Sequence, residues 1–407
     1  MTTSTIAWGP QQKEALSAVS KWLESLARGS DSRQCFYLGG YAGSGKTTLA
    51  REFALSGLAG HVEFAAFTGK AALVLRKAGC PEARTIHSLI YTPTSKSKQN
   101  LLDLQEEYGQ LSEDDPKRDE IHEAIDAEKL NLKRPSFTLN LASPIKDASL
   151  VIIDEVSMVD IQMGTDLCSF GVPILVLGDP AQLPPVAKSQ GYFTRNDPDF
   201  MLTEIHRQAA DSPVLRLATA VRSGRGLELG EYGTSRVLPP KALSAEEAMR
   251  FDQTIVGKNE TRRAINARIR KLMGRKGELP EVGDRLICLR NDRETGLLNG
   301  SFWTVLDCVV VDDDKLNMII EDVDNTASRL VVTAHRHHFE GRELPWFDSR
   351  NAHEFDYGYA ITCHKAQGSQ WPNVLVYDQS WIAREHKRKW LYTALTRASE
   401  SVTVVLS

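Results

Sequence analysis

The run Gly40-Tyr41-Ala42-Gly43-Ser44-Gly45-Lys46-Thr47 has the residue types and spacing of a phosphate-binding loop. Its glycines let backbone N–H groups curve around phosphate oxygens, and the N-terminus of the next helix adds its positive dipole end. Lys46 is placed to reach the β- and γ-phosphates, and the Thr47 hydroxyl to hold Mg²⁺. The alternative is a plain glycine turn with a solvent-facing lysine, but an apolar run before the loop and a helix-forming run after it favour a nucleoside triphosphate site. The predicted nucleotide-binding residues of this segment are Gly40, Ala42, Gly43, Ser44, Gly45, Lys46, Thr47 and Thr48.

A second chemical candidate is the carboxylate pair Asp154 and Glu155, which follows the apolar run at residues 150–153. At the end of a buried strand, Asp154 can hold Mg²⁺ and Glu155 can polarise an attacking water. An exposed acid pair at a strand end is the alternative, although ligand sites of nucleotide folds lie at such strand ends. Thr47 and Asp154 are therefore the predicted magnesium ligands.

The elements that must position these residues follow an α/β pattern. Residues 1–90 alternate between helix-forming and strand-forming runs, and near-continuous apolar strands return at residues 150–153 and 174–177. A second α/β unit is expected after Glu204, with a basic helix at about 260–273 and a closing strand at 402–406. This alternation predicts parallel sheets with helices on both faces.

Two segments interrupt that alternation. Residues 91–140 change to a polar stretch and then an acidic stretch, which predicts an insertion of helical character, with two short flanking strands as a further option. Residues 284–350 contain short strand-forming runs joined by Asn-Gly and Asp-rich turns. This second segment is expected to form a small β-barrel inserted into the second α/β unit.

Composition indicates a globular protein with room for two or three cores, since 407 residues are 42% hydrophobic and 25% charged. We expect no signal peptide and no membrane span, because no basic-then-apolar leader and no apolar run of roughly 18 residues occur. The six cysteines form no C-x-x-C pair, which fits a reducing compartment and argues against disulfides and zinc. A cytoplasmic location, in a bacterial or phage-infected cell, is the expectation.

Charge is segregated along the chain, so the net charge of −4 does not exclude a nucleic-acid partner. Residues 103–129 carry eleven acidic and three basic side chains, whereas residues 258–276 carry eight basic side chains and one acidic one. The acidic run is more often a solvated face than a site. The basic helix is a candidate for phosphate contact, with a solvated and internally paired face as the equal alternative.

Four further motifs complete the pattern, and they stand at residues 178–185, 202–208, 362–368 and 392–397. In this order, from Gln12 to Arg397, the set resembles superfamily 1 helicases, specifically the RecD-like and phage Dda-like branch. The resemblance implies two RecA-like P-loop domains with ATP between them, a pin or wedge insertion and an SH3-like β-barrel insertion. The expected boundaries are 1–90 with 141–203 for the first domain, 91–140 for the pin with its acidic helix, 204–283 with 351–407 for the second domain, and 284–350 for the SH3-like insertion.

The same resemblance implies roles for individual residues. Gln12 would read adenine, Gln182 would sense the γ-phosphate, and Arg207 and Arg397 would act as arginine fingers from the second domain. A guanidinium brought across a cleft stabilises charge on the transferring phosphoryl group. A structural ion pair is the alternative for each arginine. The catalytic set is then Lys46, Asp154, Glu155, Gln182, Arg207 and Arg397.

One departure from the family concerns the segment after Gln367. The family often places a glutamate there that contacts the nucleotide sugar, whereas this chain has Gly368-Ser369-Gln370. Gln370 can still hydrogen-bond a hydroxyl, so Gly368 and Gln370 stay among the expected nucleotide-binding residues as weaker members.

The resemblance also implies a path for single-stranded DNA across both domains. The contacts would come from Phe67, Thr68, Lys70, His87, Thr362, His364 and Lys365. Phe67 can stack on a base or pack in the core, with equal weight, and both histidines can be ordinary polar loop residues. Candidate tip residues of the pin are Tyr91, Pro93 and Phe137. Metal binding by the histidines at 335–338 is disfavoured because no cysteine is nearby.

The expected function is that of an ATP- and Mg²⁺-dependent DNA helicase that moves 5′→3′ on single-stranded DNA and opens forked duplexes. Replication, recombination or repair is the expected setting, with replication or recombination proteins as partners and no membrane. Two alternatives remain open: an RNA helicase of the same superfamily, and an ATP-switched factor that displaces or loads proteins without unwinding.

Overall fold

Two largely parallel sheets and one antiparallel sheet carry the fold. A computed structural model of the chain describes residues 8–56, 60–80, 82–94, 99–112, 115–133, 136–184, 191–204, 211–292, 294–342 and 352–407. Within these ranges the side chains of 93–94, 129–133 and 136 are not described.

The described residues form nineteen strands and eleven α-helices. The strands are β1 (Cys35–Gly40), β2 (Val62–Ala66), β3 (Arg84–Thr85), β4 (Tyr91–Thr94), β5 (Ser136–Leu139), β6 (Leu150–Asp154), β7 (Ile174–Gly178), β8 (Phe200–Leu202), β9 (Gly230–Tyr232), β10 (Ser235–Leu238), β11 (Gln253–Val256), β12 (Arg285–Cys288), β13 (Phe302–Val310), β14 (Lys315–Asp322), β15 (Asn325–His335), β16 (Phe355–Tyr357), β17 (Ala360–Thr362), β18 (Trp371–Tyr377) and β19 (Ala398–Val405). The helices are α1 (Pro10–Ala27), α2 (Lys46–Leu55), α3 (Gly69–Lys77), α4 (Ile86–Ile90), α5 (Gln99–Gln110), α6 (Arg118–Lys133), α7 (Ile161–Cys168), α8 (Pro213–Arg222), α9 (Ala245–Ala248), α10 (Asn259–Leu272) and α11 (Lys387–Leu395). Short 3₁₀ helices lie at Pro144–Asp147, Val156–Met158 and Ser380–His386.

The first sheet has the order β3-β2-β6-β7-β1-β8, and all of its described strand pairs are parallel. Alternate residues of its strands enter two cores. Ile152 and Leu175 pack with α1, α2 and α3 on one face, whereas Val151 and Val176 pack with α4 and α7 on the other. Burial on both faces explains why β6 and β7 are apolar along most of their length. We call this sheet and its helices the first lobe.

The second sheet has the order β17-β11-β18-β19-β10-β9. Its strands pair in parallel except at the β9 edge, where β9 runs antiparallel to β10. Helices α8 and α11 pack on one face, where Val221 and Trp390 meet Val374 and Val404. We call this sheet and its helices the second lobe.

The third sheet is antiparallel, with the order β15-β14-β13-β12-β16. Its two edges approach each other, because Ala334 in β15 forms a parallel bridge with His353, just before β16. Buried Trp303, Met318 and Phe355 contribute to its core. We call this sheet the β unit.

The segment between β4 and β5 forms a separate projection. The two strands pair in antiparallel fashion, with Tyr91 opposite Leu139, and α5 and α6 lie between them in the chain. Tyr108 and His122 face each other across the two helices, with ring centroids 5.7 Å apart. The option of two flanking strands around a helical insertion agrees with this arrangement.

The α/β class with parallel sheets is confirmed, whereas the domain limits and the identity of the insertions as a pin and an SH3-like barrel stay predictions. One expected limit differs from the described elements: the β unit includes β16, beyond the predicted end at residue 350. Among the described residues, none of the helices has the length and apolar character that a membrane-spanning segment needs.

Candidate nucleotide site and nucleic-acid interface

The phosphate-binding loop follows β1 directly and leads into α2. The Tyr41 N–H donates to the carbonyl oxygen of Leu202 (3.3 Å), and the Ser44 N–H donates to that of Tyr41 (3.2 Å). Gly45 precedes α2 with φ of +80°, which only glycine adopts at little cost. A Cβ on Gly40 would lie 2.5 Å from Ser44 Oγ, so this position also requires glycine.

Lys46 lies over the loop that it terminates. Its Nζ donates to the carbonyl oxygens of Gly40 (2.6 Å) and Tyr41 (3.2 Å). The hydroxyl of Ser44 is buried and has no hydrogen-bond partner among the described residues. A buried polar atom without a partner is costly, and a phosphate oxygen would satisfy it. The loop therefore fits the predicted nucleotide.

The predicted magnesium ligands lie side by side. Thr47 Oγ1 donates to Asp154 Oδ2 (2.7 Å), and Asp154 Oδ1 accepts from the Glu155 N–H (2.8 Å). Magnesium in such sites is held by one or two protein oxygens together with waters and substrate phosphates. A hydroxyl and a carboxylate beside a phosphate-binding loop fit that donor set.

Glu155 lies between groups of both lobes. Its backbone is left-handed (φ 55°, ψ 45°), which is unusual for a non-glycine residue and turns the chain sharply after β6. Burial raises the pKa of its carboxyl, while the cations Arg397 and Lys46 act in the opposite direction. Arg397 from the second lobe and Lys46 from the first therefore act on one carboxylate.

Arg397 is buried, with an exposed fraction of 3%. Its guanidinium donates to the carbonyl oxygens of Thr393 (3.1 Å) and Ser369 (3.3 Å), and to Thr396 Oγ1 (3.2 Å). Among the described residues no carboxylate lies within ion-pair distance of it, so a structural ion pair does not explain its burial. Arg207, the other predicted arginine finger, lies outside the described residues.

Direct contacts between the lobes centre on Tyr392, which the sequence reasoning missed as a site residue. Its hydroxyl donates to Asp179 Oδ2 (2.6 Å) and accepts from the N–H of Ala42 in the phosphate-binding loop (3.0 Å). Next to it, Thr393 Oγ1 accepts from the Leu183 N–H (2.9 Å). The sequence did contain a signal for Tyr392 as a site residue, because Tyr392 is the first residue of the motif that ends at Arg397.

The remaining predicted nucleotide residues occupy different surroundings. Gln12 Nε2 donates to the carbonyl oxygen of Ser44 (3.3 Å), so it supports the loop. Gln182 is buried, and its Oε1 has no hydrogen-bond partner among the described residues. Gln370 and Thr48 are exposed. A Cβ on Gly368 would lie 2.8 Å from Thr68 Oγ1, so the lobes also approach each other here. Their contacts with nucleotide stay predictions.

Four aromatic rings form a continuous cluster where the first lobe meets strands β4 and β5. His87 lies 6.1 Å from Phe67, 5.7 Å from Tyr91 and 5.6 Å from Phe137, between ring centroids. Burial lowers the pKa of His87. Tyr91 is not at a tip, because its hydroxyl donates to Asp166 Oδ2 (2.6 Å) on α7. The side chain of Pro93 lies outside the described residues.

The other predicted DNA contacts lie where the lobes meet the β unit. The Thr68 hydroxyl caps α3 by accepting from the Ala71 N–H (3.1 Å), and Lys70 forms an ion pair with Asp324 of the β unit. In the second lobe, Lys365 Nζ donates to Asn299 Oδ1 (2.7 Å). These contacts are intramolecular, and binding of DNA by these residues stays a prediction.

Thr362 ends β17, and His364 follows two residues later. Thr362 is half-buried, and burial lowers the pKa of His364. Thr362 and Lys365 line one cavity with residues of the β unit, so these two residues lie on the side of the second lobe that meets that unit.

His335 and His337 are buried in the β unit. Cys35 and Cys168 are distant in sequence, yet their sulfur atoms are 3.6 Å apart, and both are free thiols. Among the described residues, no group of three or more His, Cys, Asp and Glu side chains is arranged to hold a metal ion.

Two family models match this chain, and a curated protein is similar to part of it. A family model described as an AAA domain matches residues 23–237, and one described as a UvrD-like helicase C-terminal domain matches residues 357–405. The ATP-dependent RecD2 DNA helicase of Deinococcus radiodurans is 27% identical over 285 residues, which are 62% of this chain and 35% of that protein. The chain thus spans about a third of the length of this relative.

Solved structures share the fold along almost the whole chain. Pif1 helicase from Candida albicans has 18% identity and a TM-score of 0.52, covering 98% of this chain and 94% of that one. Pif1 helicase from Bacteroides in complex with ADP-AlF3 and single-stranded DNA has 16% identity and a TM-score of 0.52, covering 98% and 92%. At these identities the likeness concerns the fold.

Proposed function

This chain belongs to the AAA-domain family, and we propose that it is a superfamily 1 helicase of the RecD-like kind that unwinds DNA by hydrolysing ATP. The observation that carries the proposal is the contact of α11 with the phosphate-binding loop. Tyr392 bridges Ala42 and Asp179, so residues of the second lobe complete the nucleotide site of the first. Hydrolysis in such a site must change how the lobes contact each other.

Each site residue has a defined part in hydrolysis. The loop N–H groups and Lys46 bind the phosphates, and Thr47 with Asp154 would hold Mg²⁺, which neutralises charge between the β- and γ-phosphates. Glu155 orients the attacking water and accepts its proton, while Gln182 faces the same substrate from the first lobe. Arg397, buried without a carboxylate partner among the described residues, stabilises the developing phosphoryl charge.

The DNA path runs over both lobes in this proposal. Phe67 and His87 stack with bases, while Lys70 and Lys365 contact phosphates, which position a strand without reading its sequence. Alternate closing and opening of the lobes then moves the strand 5′→3′, and the projection between β4 and β5 meets the fork. Replication, recombination or repair is the proposed setting, and the partners would be proteins of those processes.

A fork assay tests this proposal. Forks with only a 5′ tail are expected to be opened in an ATP- and Mg²⁺-dependent way, and Lys46→Ala should abolish opening because the phosphates lose their cation. Lys13→Ala is the matched control, since Lys13 is an exposed lysine on α1. Opening of only 3′-tailed forks would overturn the polarity. ATP hydrolysis that DNA and RNA stimulate equally, with no opening of any fork, would contradict unwinding altogether.

A further inference from the structure

The second lobe contacts the phosphate-binding loop at another point besides Tyr392. Arg222, the last residue of α8, lies over the aromatic ring of Tyr41, with 3.4 Å between its Cζ and the ring centroid. Tyr41 is the residue that directly follows β1. A guanidinium within about 6 Å of the centroid, over the face of a ring, is attracted by the negative face of the π-system. A cation–π contact therefore joins α8 of the second lobe to the loop of the first.

The backbone of Tyr41 is part of the phosphate-binding machinery. Its N–H donates to the carbonyl oxygen of Leu202 (3.3 Å), and its own carbonyl oxygen accepts from the Ser44 N–H (3.2 Å) and from Lys46 Nζ (3.2 Å). Lys46 must turn away from this carbonyl oxygen when it binds a phosphate. Tyr41 thus lies between the cation that binds the nucleotide and the arginine of the opposite lobe.

Arg222 is held in place by the helix that it ends. Leu217 and Val221 of α8 are buried in the core of the second lobe, so the end of the helix has a fixed position. The Arg222 guanidinium forms no hydrogen bond or ion pair with another described residue. Burial raises the pKa of Tyr392 and the charge of Arg222 acts in the opposite direction, so the guanidinium also lies near the Tyr392 phenol.

Two adjacent loop residues, Tyr41 and Ala42, are therefore contacted by side chains of the second lobe. Resting on the proposed function, we propose that Arg222 is a positioning residue for ATP hydrolysis. Its stack on Tyr41 stabilises the closed arrangement of the lobes, in which Arg397 reaches the transferring phosphoryl group. Arg222 acts through the ring of Tyr41 and makes no contact with the nucleotide.

Arg222→Ala tests this inference against Arg216→Ala, which removes an exposed arginine from the same helix. The DNA-stimulated kcat for ATP hydrolysis should fall about three- to tenfold in Arg222→Ala, the range of a partly desolvated cation–π contact. The KM for ATP should change less than kcat, because Lys46 and the loop belong to the first lobe. Arg216→Ala should match wild type in both constants, and thermal unfolding checks that both variants are folded.

Substitutions at both positions separate the stack from ordinary packing. Tyr41→Phe keeps the ring face and should retain the kcat of wild type, whereas Tyr41→Leu should lose as much as Arg222→Ala. Arg222→Lys keeps the charge and should recover part of the rate, but Arg222→Leu, which keeps only apolar contact, should not. Adding Arg222→Ala to Tyr41→Leu should cost nothing further, because the two residues act as one unit.

A measurement without turnover follows the closed arrangement itself. Dyes at residues 13 and 246, which are exposed on α1 of the first lobe and α9 of the second, report the distance between the lobes by single-molecule energy transfer. With a saturating non-hydrolysable ATP analogue and single-stranded DNA, the ratio of closed to open molecules should fall about three- to tenfold in Arg222→Ala. Arg216→Ala should leave this ratio unchanged.

Three outcomes would overturn the inference. The first is that Arg222→Ala and Arg216→Ala have equal kcat and equal closed populations. The second is a loss in the Tyr41→Leu background as large as in wild type, which would indicate that Arg222 contacts the nucleotide directly. The third is a wild-type kcat in Arg222→Leu, which would reduce the contact to packing. Wild-type protein that hydrolyses no ATP with DNA would contradict the proposed function instead, which separates the two failures.

Discussion

At the scale of single residues, Tyr392 connects three segments that are far apart in the sequence. Its hydroxyl donates to the Asp179 carboxylate and accepts from the Ala42 N–H, and its ring is buried in the core that α11 forms with α8. Burial and the nearby Asp179 both raise the pKa of the phenol. The hydroxyl therefore stays protonated and can donate a hydrogen bond to Asp179. A phenylalanine would keep the packing and lose both hydrogen bonds.

Tyr392→Phe is therefore expected to weaken the contact between the lobes without unfolding them. A hydrogen bond to a charged group contributes about 1.5–3 kcal/mol, so the DNA-stimulated kcat for ATP hydrolysis should fall about tenfold or more. The KM for ATP should change little, because Lys46 and the rest of the loop belong to the first lobe. Tyr377→Phe, at the end of β18, is the matched control. Equal kcat in wild type and Tyr392→Phe would contradict this role.

At the scale of elements, the packing of α7 beside β1 brings two thiols together. Cys35 is the first residue of β1 and Cys168 is the last residue of α7, with 3.6 Å between their sulfur atoms. The hydrogen bond between the two thiols lowers the pKa of Cys168 to about 7, whereas the pKa of Cys35 is raised well above its usual range. The pair therefore loses its first proton at Cys168.

Alkylation of Cys168 by iodoacetamide should follow this titration. Because the thiolate is the reacting form, the rate is expected to rise with pH through about 7, below the usual thiol value of about 8.5. Cys308 is the internal reference, since burial raises its pKa and its rate should rise only at higher pH.

The Cys35→Ala variant is the matched control for this titration. It removes the partner thiol, so the midpoint for Cys168 should return toward the usual thiol value. Peptide mass spectrometry gives both rates, and a wild-type midpoint at the usual thiol value would rule out the shared proton.

At the scale of the whole molecule, the β unit contacts both lobes at positions where DNA is proposed to bind. Asp324, in the turn between β14 and β15, pairs with Lys70, and Asn299 accepts from Lys365. A Cβ on Gly69 would lie 2.9 Å from Leu298, so the approach to α3 is close. A strand that contacts Lys70 must displace Asp324.

Removing that competitor should strengthen binding. Asp324→Asn is expected to raise the affinity for single-stranded DNA about two- to fivefold at low salt, the range of a partly exposed ion pair. Asp313→Asn is the control, with the same charge change at the opposite end of β14. The gain should vanish when Lys70→Ala is combined with Asp324→Asn. Anisotropy titrations measure all four affinities, and a gain that survives the loss of Lys70 would show that Asp324 acts by another route.

How much of the structure the sequence predicts depends on how far apart the interacting residues lie along the chain. The strand, loop and helix around Lys46 are local, so their pattern predicts both the elements and the Thr47–Asp154 neighbourhood of the parallel sheet. The partners of Tyr392 and of Lys70 lie in other units, and no periodicity encodes such pairs. The inclusion of β16 in the β unit likewise depends on pairing with β12 across the intervening sequence.

The Lys70–Asp324 pair also affects the number of DNA phosphate contacts that a salt titration would report for this protein. Salt weakens the contacts between the protein and DNA phosphates, which lowers the affinity for DNA. Salt also weakens the Lys70–Asp324 ion pair, which competes with DNA for Lys70, and this second effect raises the affinity. The two effects on affinity therefore partly offset each other. A log–log plot of affinity against ionic strength will then be shallower than the true number of backbone contacts implies. The number of phosphate contacts calculated from that slope will therefore be too small.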